Sequence, residues 1–208
     1  MKKPIRFRIL LAAALCVAGC ASDVPGLDPL KNQVRFPIGL VVHPSDKYLF
    51  VVNSNFDLQF NAATIAVVDL ATNAILPDQT IRLNSFAGEI VMRPDGTRAY
   101  VASRSEGQVT ALDIDVTAPA MLRCTSVAAA PGTMPRCESP YTVNVDPNPF
   151  GLFLRPAGTN LRVGCGIEME SPRETLVVAH LNTLSTVANA QGTLSLLMAP
   201  DDAAALSD

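Results

Sequence analysis

The fold is decided by the stretch GEIVMRPDGTRAYVAS at residues 88–103. Two apolar runs of strand-like composition flank the dipeptide Asp95-Gly96 in its middle. Asp-Gly between such runs is a strong hairpin signal, because the glycine accepts the positive φ that a tight turn requires. The stretch therefore predicts two short antiparallel strands joined by a turn at residues 95–97.

The same pattern recurs on both sides of this stretch. An earlier copy reads PIGLVVHPSDKYLFVVN at residues 37–53, and a looser later copy starts with PFGLFLRP at residues 149–156. The equivalent prolines of the three copies are 50 and 62 residues apart, at Pro44, Pro94 and Pro156. Further short apolar runs follow within the copies, at residues 64–70, 79–83, 108–113, 175–180 and 192–197. The sequence thus predicts an all-β protein with about four strands per copy.

The repeat details are similar to those of a known family. The Pro-x-Gly start, the Pro-Asp-Gly turn and the strand Tyr100–Ser103, with Val51–Ser54 in register, resemble the YVTN-type repeats of β-propellers. The resemblance covers residues 36–198 and implies a partial β-propeller of about three four-stranded blades. The blades would span about residues 36–83, 84–145 and 146–198, and residues 199–208 would form a C-terminal tail. A sandwich of short hairpins is the alternative that the strand pattern leaves open.

The number of blades has a consequence for assembly. Propellers usually close with four to eight blades, whereas this sequence shows about three. A truncated or split gene product, a ring assembled from several chains and a degenerate open β fold are all compatible with that count. An unclosed array exposes sheet edges and an apolar face. We therefore expect a protein partner, or self-association, that completes the propeller.

The N-terminus has the pattern of a secretory signal. Four cationic residues precede an apolar run of ten residues, Ile9–Ala18, which is followed by Gly19 and Cys20. The run is too short for a membrane span, which needs about 20 residues. Residues 17–20, VAGC, resemble the lipobox of bacterial lipoproteins. That resemblance implies a signal peptide at residues 1–19 that is removed before Cys20.

The same resemblance predicts where in the cell the mature protein is located. Cys20 would carry acyl chains such as palmitate, and several chains on one residue give stable membrane anchoring. Residues 20–35 would then comprise the lipidated cysteine and a tether. In enterobacterial lipoproteins an Asp after the lipidated cysteine favours the inner membrane, so Ala21 favours the outer membrane. The sequence therefore predicts a lipid-anchored protein of the bacterial cell envelope.

The charge of the mature chain argues against nucleic acid as a partner. Residues 1–19 hold four of the sixteen Lys and Arg residues and no Asp or Glu, so 12 basic residues face 19 acidic ones, a net charge of −7. An acidic chain is a poor binder of polyanions.

Three cysteines remain after the leader and Cys20 are set aside. Cys124 and Cys137 bracket a proline-containing loop, and an exported chain meets an oxidising compartment, so these two are predicted to form a disulfide. The pairing of Cys137 with Cys165 stays open at this point. A metal site is not predicted, because the sequence has no CxxC and both histidines lie far from the cysteines.

Candidate ligand-binding residues stand at the ends of the second strands. Asn53, Arg104 and His180 end equivalent runs, and the corresponding corners of successive blades gather on one face of a propeller. Polar groups at such corners can converge on a ligand at the mouth of the channel. The long loops at residues 55–63 and 181–191 are expected on the same side.

The sequence lacks several common catalytic motifs. The sequence has no G-x-S-x-G elbow, H-E-x-x-H, P-loop or G-x-G-x-x-G motif, so we predict no catalytic residue and no cofactor. We therefore expect a non-enzymatic binding or scaffold module that uses blade-face loops on a protein or a glycan. The alternative is a fragment or subunit of a propeller enzyme, since YVTN-like propellers resemble lactonases and the propeller domains of periplasmic redox enzymes.

Overall fold

A computed structural model describes residues 26–125, 129–130, 132–158, 160–163, 167–170, 174–181 and 193–198. Along these residues the structure has three larger antiparallel sheets, one separate two-stranded sheet and one short 3-10 helix. The predicted leader, the lipidation site Cys20, Cys165 and the predicted tail at 199–208 lie outside the described residues.

The first sheet is formed by residues 37–83. Its strands follow the order β1-β2-β3, and two short strands, β4 and β5, pair with the outer side of β3. The 3-10 helix Pro77–Gln79 separates β4 from β5. The bounds are Pro37–Val42 for β1, Tyr48–Asn53 for β2, Ala63–Asp69 for β3, Ala74–Ile75 for β4 and Ile81–Leu83 for β5.

The second sheet repeats this plan. Strands β6, β7 and β8 lie side by side, and β9 and β10 both pair with the outer side of β8. The bounds are Ala87–Met92 for β6, Arg98–Ser103 for β7, Gln108–Ile114 for β8, Leu122–Arg123 for β9 and Thr142–Asn144 for β10.

The third sheet is interrupted by an inserted hairpin. Strands β11 (Pro149–Arg155), β14 (Thr175–His180) and β15 (Thr193–Met198) form the sheet, which has three strands among the described residues. Between β11 and β14, strands β12 (Asn160–Val163) and β13 (Ile167–Glu170) pair with each other, and with no other strand of the described residues. This hairpin accounts for part of the chain inserted between the first and second strands of the third copy.

The backbone confirms the repeat at the level of single residues. We call the first strand of each sheet (β1, β6 and β11) its inner strand. The turn after each inner strand contains a residue of positive φ. These residues are Asp46, Gly96 and Gly158. A second set of positive φ precedes the inner strands, at Phe36, Phe86 and Asn148. The carbonyls of this second set accept hydrogen bonds from the residues that follow β2, β7 and β14, at 3.0–3.2 Å. Both sets have the spacing of 50 and 62 residues that the prolines show in the sequence.

The three sheets pack face to face through their inner strands. Strand β6 contacts β1 on one side and β11 on the other. The β1 contact is close because Gly39 has no side chain: a Cβ there would lie 2.6 Å from the carbonyl oxygen of Gly88. The sheets are therefore three blades of a partial β-propeller, as the sequence predicts, and we call them the first, second and third blade.

An apolar core fills each of the two interfaces between adjacent blades. The core between the first and second blades is built from large aliphatic and aromatic side chains, among them Phe50, Val52, Ile65, Val67, Ile90, Val101, Leu112 and Ile114. The core between the second and third blades is smaller and contains Tyr100, Ala102, Val109, Ala111, Leu152, Leu176, Val178 and Leu197. Alternate residues of the second blade thus face opposite neighbours, as the period of two in a strand requires.

The predicted disulfide is present. Cys124 and Cys137 are bonded, with Cα atoms 4.7 Å apart. The loop between them reaches the first blade, where the N–H of Arg82 donates to the carbonyl of Pro135 at 2.8 Å and the N–H of Cys137 donates to the carbonyl of Arg82 at 3.2 Å. The disulfide loop therefore ties the outer edge of the second blade to β5.

The segment that precedes β1 lies along the first blade. Asp28 forms an ion pair with Arg82, and the carbonyl of Lys31 accepts a hydrogen bond from Thr80 Oγ1 at 2.9 Å. Within the described part of the chain, no helix is long and apolar enough to cross a membrane.

Candidate functional site

A cleft opens where the inner strands of the blades begin. Its volume is about 520 Å³, and residues of all three blades line it. The lining residues are Ile38, Ser54, Phe56, Phe86, Ala87, Gly88, Glu89, Arg104, Pro149 and Phe150. Most of these side chains are apolar, and two of them, Glu89 and Arg104, are charged.

The left-handed backbone at Phe86 positions one wall of the cleft. The N–H of Phe86 donates to the carbonyl of Ser54 at 2.8 Å, and its own carbonyl accepts from the N–H of Arg104 at 3.2 Å. The ring of Phe86 meets the ring of Phe56 edge to face, with centroids 5.8 Å apart. Residues of the first and second blades are thereby held together at the mouth of the cleft.

Three large apolar side chains of the cleft are open to solvent. Ile38, Phe56 and Phe150 are each more than half exposed. Exposed aromatic rings that share one concave surface differ from single exposed apolar residues, which are normal in soluble proteins. This surface therefore has the composition of a binding site, where aromatic side chains contribute much of the contact energy.

The two charged residues of the cleft differ in their bonding. Glu89 Oε2 accepts a hydrogen bond from the N–H of Leu152 at 2.9 Å, so this carboxylate also joins the second blade to the third. Arg104 Nε is buried and has no hydrogen-bond partner among the described residues. A buried donor without a partner is costly, so an acceptor placed beside Arg104 would supply a hydrogen bond that the described residues do not provide.

Arg104 is thus the one predicted ligand-binding residue that lies in the cleft. Asn53 is buried and fully engaged with its own chain: its Oδ1 accepts from the N–H of Arg35 at 3.0 Å, and its Nδ2 donates to Thr64 Oγ1 at 3.0 Å. These bonds hold the segment before β1 against the first blade.

His180 is not among the residues that line the cleft, although its strand partner Pro149 is. Its side chain is buried, its Nε2 is 2.9 Å from Ser195 Oγ, and its Nδ1 has no partner among the described residues. The strand registers pair Asn53, Ser103 and His180 with the first residues of β1, β6 and β11. The structural equivalent of Asn53 and His180 in the second blade is therefore Ser103, and Arg104 is the residue after it.

Sequence reasoning missed the aromatic residues of the cleft and Glu89. One signal was available: Phe86 directly precedes the second copy of the repeat, as Phe36 precedes the first. The side chains of Phe56 and Phe150 gave no comparable signal, because a phenylalanine in or beside a strand most often belongs to a core.

A cluster of polar side chains lies between the second and third blades, where Arg98 and Tyr100 are buried and Arg93, Asp113 and Glu174 are partly buried. Arg98 donates from Nε and Nη2 to Asp113 Oδ1, at 2.9 and 2.7 Å. The hydroxyl of Tyr100 donates to Glu174 Oε1 at 3.2 Å, and Glu174 also pairs with Arg93. Burial, together with the charge of Glu174, raises the pKa of Tyr100 to about 12. A phenol that stays neutral and enclosed is suited to a structural role in the interface.

Metal binding has no support in the described part of the chain. Those residues contain no group of three or more His, Cys, Asp or Glu side chains placed to hold an ion.

Comparisons with known proteins identify no family. No protein-family model matches the sequence, and no curated protein matches it either. Among solved structures, hydrazine synthase of Kuenenia stuttgartiensis matches with 17% identity and a TM-score of 0.44, over 78% of this chain and 34% of that chain. A functionally unknown protein of Desulfotomaculum acetoxidans matches with 14% identity and a TM-score of 0.46, over 83% of this chain and 41% of that one. The chain thus spans less than half the length of either protein.

Proposed function

We propose that this protein is a lipid-anchored envelope lipoprotein whose propeller blades form a binding module, with the cleft as its binding site. The observation that carries the proposal is the combination of exposed aromatic rings with Arg104, whose buried Nε has no hydrogen-bond partner among the described residues, in one concave surface of about 520 Å³. No catalytic constellation accompanies it in the described residues. Binding without chemistry is the function that this surface supports best.

The chemistry of the lining favours a polypeptide ligand over a glycan. An aromatic or aliphatic side chain of a partner would pack between Phe56, Phe86 and Phe150, where burial of apolar area stabilises the complex. A neighbouring carboxylate of the partner would accept hydrogen bonds from Arg104, whose planar guanidinium suits that geometry. The expected ligand is therefore an extended segment with an apolar residue next to Asp or Glu.

The anchor at Cys20 would hold this site close to a membrane. Residues from Leu27 onward are bonded to the first blade, for example through the carbonyl of Leu27 and the N–H of Asn61. Only residues 21–26 would then separate the lipidated cysteine from the domain, and six extended residues reach about 20 Å. The partner is accordingly expected in the same membrane or directly beside it.

Selection of peptides on the full chain tests the cleft. Random peptides displayed on phage, selected against the detergent-purified protein, should yield sequences with an acidic residue beside an apolar one. Arg104→Gln and Phe150→Ser should each weaken the best peptide at least about tenfold. Leu58→Ser is the matched control, since Leu58 is equally exposed in a nearby loop but does not line the cleft.

Two results of this experiment would contradict the assignment. One is peptide binding that is unchanged in both cleft variants, because the ligand would then bind elsewhere. The other is the absence of any selected peptide together with glycan binding that the same variants abolish, because the ligand would then be a sugar.

Labelling in cells tests the anchor separately. An alkynyl palmitate probe should mark the protein in an expressing bacterium, and Cys20→Ser should abolish the label. Equal labelling of the variant, or no labelling of the native chain, would refute lipidation. Separation of the two membranes would then show whether the labelled protein is in the outer one, as we expect.

A further inference from the structure

A group of exposed apolar side chains lies at one corner of the first blade. Its members are Leu27, Leu30, Phe36 and Leu58, which are 66, 44, 51 and 57% exposed. None of the four lines the cleft. Single exposed apolar residues are ordinary, whereas several at one place mark a surface that contacts a protein or a membrane. We call this group the apolar corner.

Two segments of the chain form the apolar corner, at the end of the first blade where β2 stops and β3 starts. Leu58 lies in the loop that joins these two strands. Leu27 forms a bridge with Phe60 of the same loop. Phe60 also lines one concave surface together with Leu30 and Phe36. The segment before β1 and the loop after β2 therefore present their apolar side chains together.

The anchor predicted at Cys20 would leave the domain at this corner. Residues 21–26 separate Cys20 from Leu27, and six residues reach about 20 Å only when they are fully extended. Strand β2 alone rises about 17 Å from Tyr48 to Asn53, beside the corner. With the opposite end of the blade on the membrane, the six residues would have to be stretched almost to their limit, which costs conformational entropy. The corner is therefore the part of the described domain that the anchor brings nearest to the lipid.

The polar neighbours of the corner suit the headgroup level of a bilayer. Asp57 directly precedes Leu58, and a carboxylate at this place limits the loop to the interface, because a charge in the hydrocarbon core is costly. Arg35 is exposed, and its guanidinium lies 5.3 Å from the centre of the Phe60 ring. Arginine and aromatic side chains both favour the interface, where a guanidinium can donate to lipid phosphates.

We propose that the apolar corner rests in the interface of a phospholipid leaflet and gives the anchored protein one fixed orientation. This inference rests on the lipid anchor proposed above. The corner borders the cleft, since Phe56 lines the cleft and stands two residues before Leu58. The mouth of the cleft would therefore open at the membrane surface. The ligand segment of a partner would then be one that lies next to the membrane.

The chain contains no tryptophan, so a single introduced tryptophan reports its own position. Leu58→Trp places this fluorophore at the corner. Val42→Trp is the matched control, because Val42 is 47% exposed and ends β1 at the opposite end of the blade. Each full chain, purified in detergent from the membranes of an expressing bacterium, is reconstituted into phosphatidylcholine vesicles whose acyl chains are brominated or unmodified.

Bromine should quench the corner and leave the opposite end unaffected. The emission of Leu58→Trp should shift to shorter wavelength in unmodified vesicles and lose most of its intensity in brominated ones. The emission of Val42→Trp should be the same in both kinds of vesicle. Leu30→Trp is a second reporter at the corner and should behave like Leu58→Trp, so the test does not depend on one variant.

The outcomes separate the corner from the anchor once the mass of each chain shows whether it is acylated. Acylated, vesicle-bound chains in which neither corner reporter is quenched would overturn the resting corner and leave the anchor standing. Equal quenching of Val42→Trp and Leu58→Trp would overturn the fixed orientation. Chains without acyl groups whose corner reporters are not quenched would overturn both proposals. Corner emission that is already at short wavelength before lipid is added, and is not quenched, would show that a polypeptide covers the corner instead.

Discussion

The two contacts between blades achieve the same packing by different means. The contact between the first and second blades is apolar, with Phe50, Ile65 and Leu112 at its centre, and the disulfide loop ties it at the outer edge. The contact between the second and third blades has a smaller core and adds the bonds of Glu174 to Tyr100 and Arg93. Burial of apolar surface is the main stabilising interaction in the first contact, whereas hydrogen bonds and an ion pair also contribute to the second.

This difference indicates where the molecule opens first. A buried large aliphatic side chain contributes about 1.5–3 kcal/mol. Buried ion pairs add little net stability, because desolvation offsets their attraction, although they fix orientation. The first contact is therefore expected to be the more stable one, and the third blade is expected to separate from the second at lower cost.

The largest expected effect is a truncation in the first contact. Leu112 is 1% exposed, and Leu112→Ala should lower the free energy of unfolding by about 3–4 kcal/mol, since it removes buried methyl groups and leaves a cavity. Leu176→Ala, at a fully buried position of the second contact, is the matched variant and should cost less because the third blade can relax. Urea unfolding of both variants measures this, and a larger cost for Leu176→Ala would contradict the comparison.

Removal of the disulfide should weaken the same contact by a similar amount. The double variant Cys124→Ala/Cys137→Ala opens a loop of 13 residues, and closure of a loop of that size is worth about 3 kcal/mol. Amide exchange at Arg82 should accelerate as well, because its bonds to the disulfide loop hold β5. Unchanged exchange at Arg82 would show that the loop does not join the blades.

A methyl group at the tightest approach of two inner strands should have an intermediate effect. Gly39→Ala would place a Cβ 2.6 Å from the carbonyl oxygen of Gly88, so β1 and β6 must separate, at a cost of about 2 kcal/mol. Gly88→Ala is the control, because its Cβ would meet no atom closer than 3.8 Å. Equal thermal midpoints for the two variants would mean that the strands are not in such close contact.

The smallest effect is expected at Tyr100, and it depends on pH. Tyr100→Phe removes the bond to Glu174 and should cost about 1 kcal/mol at neutral pH. The pKa of Tyr100 is about 12 in the folded chain against an ordinary value of 10.0. The neutral phenol therefore stabilises the fold below pH 10, and this contribution is lost as the pH rises towards 12. The free energy of unfolding, measured over this pH range, should fall more steeply for the native chain than for Tyr100→Phe. Parallel pH dependences of the two would show that the Tyr100 hydroxyl is exposed to solvent.

The blades were predictable from sequence because local chemistry determines them. The turn at Asp95 and Gly96 and the spacing of Pro44, Pro94 and Pro156 define the repeat before any contact is known. The left-handed backbone at Phe86 was not predictable, because bulky residues rarely adopt positive φ, and only its bonds to Ser54 and Arg104 reveal why it does so here.

The cleft was predictable only at Arg104. The sequence indicates that Asn53, like Arg104 and His180, stands at the end of a strand. It does not show that the side-chain amide of Asn53 is hydrogen-bonded to Arg35 and Thr64. Residues from different blades, such as Phe56 and Phe150, meet in the cleft only after the blades have packed. Sites of this kind depend on tertiary contacts, which periodicity and turn chemistry do not specify.

Native-state hydrogen exchange, resolved strand by strand, tests the unequal contacts most directly. We expect β11 and β14 to open together at a lower free energy than β2, β3, β7 and β8, since the third blade is held by the smaller core. Exchange of all these strands at one common free energy, or opening of the first blade before the third, would contradict it.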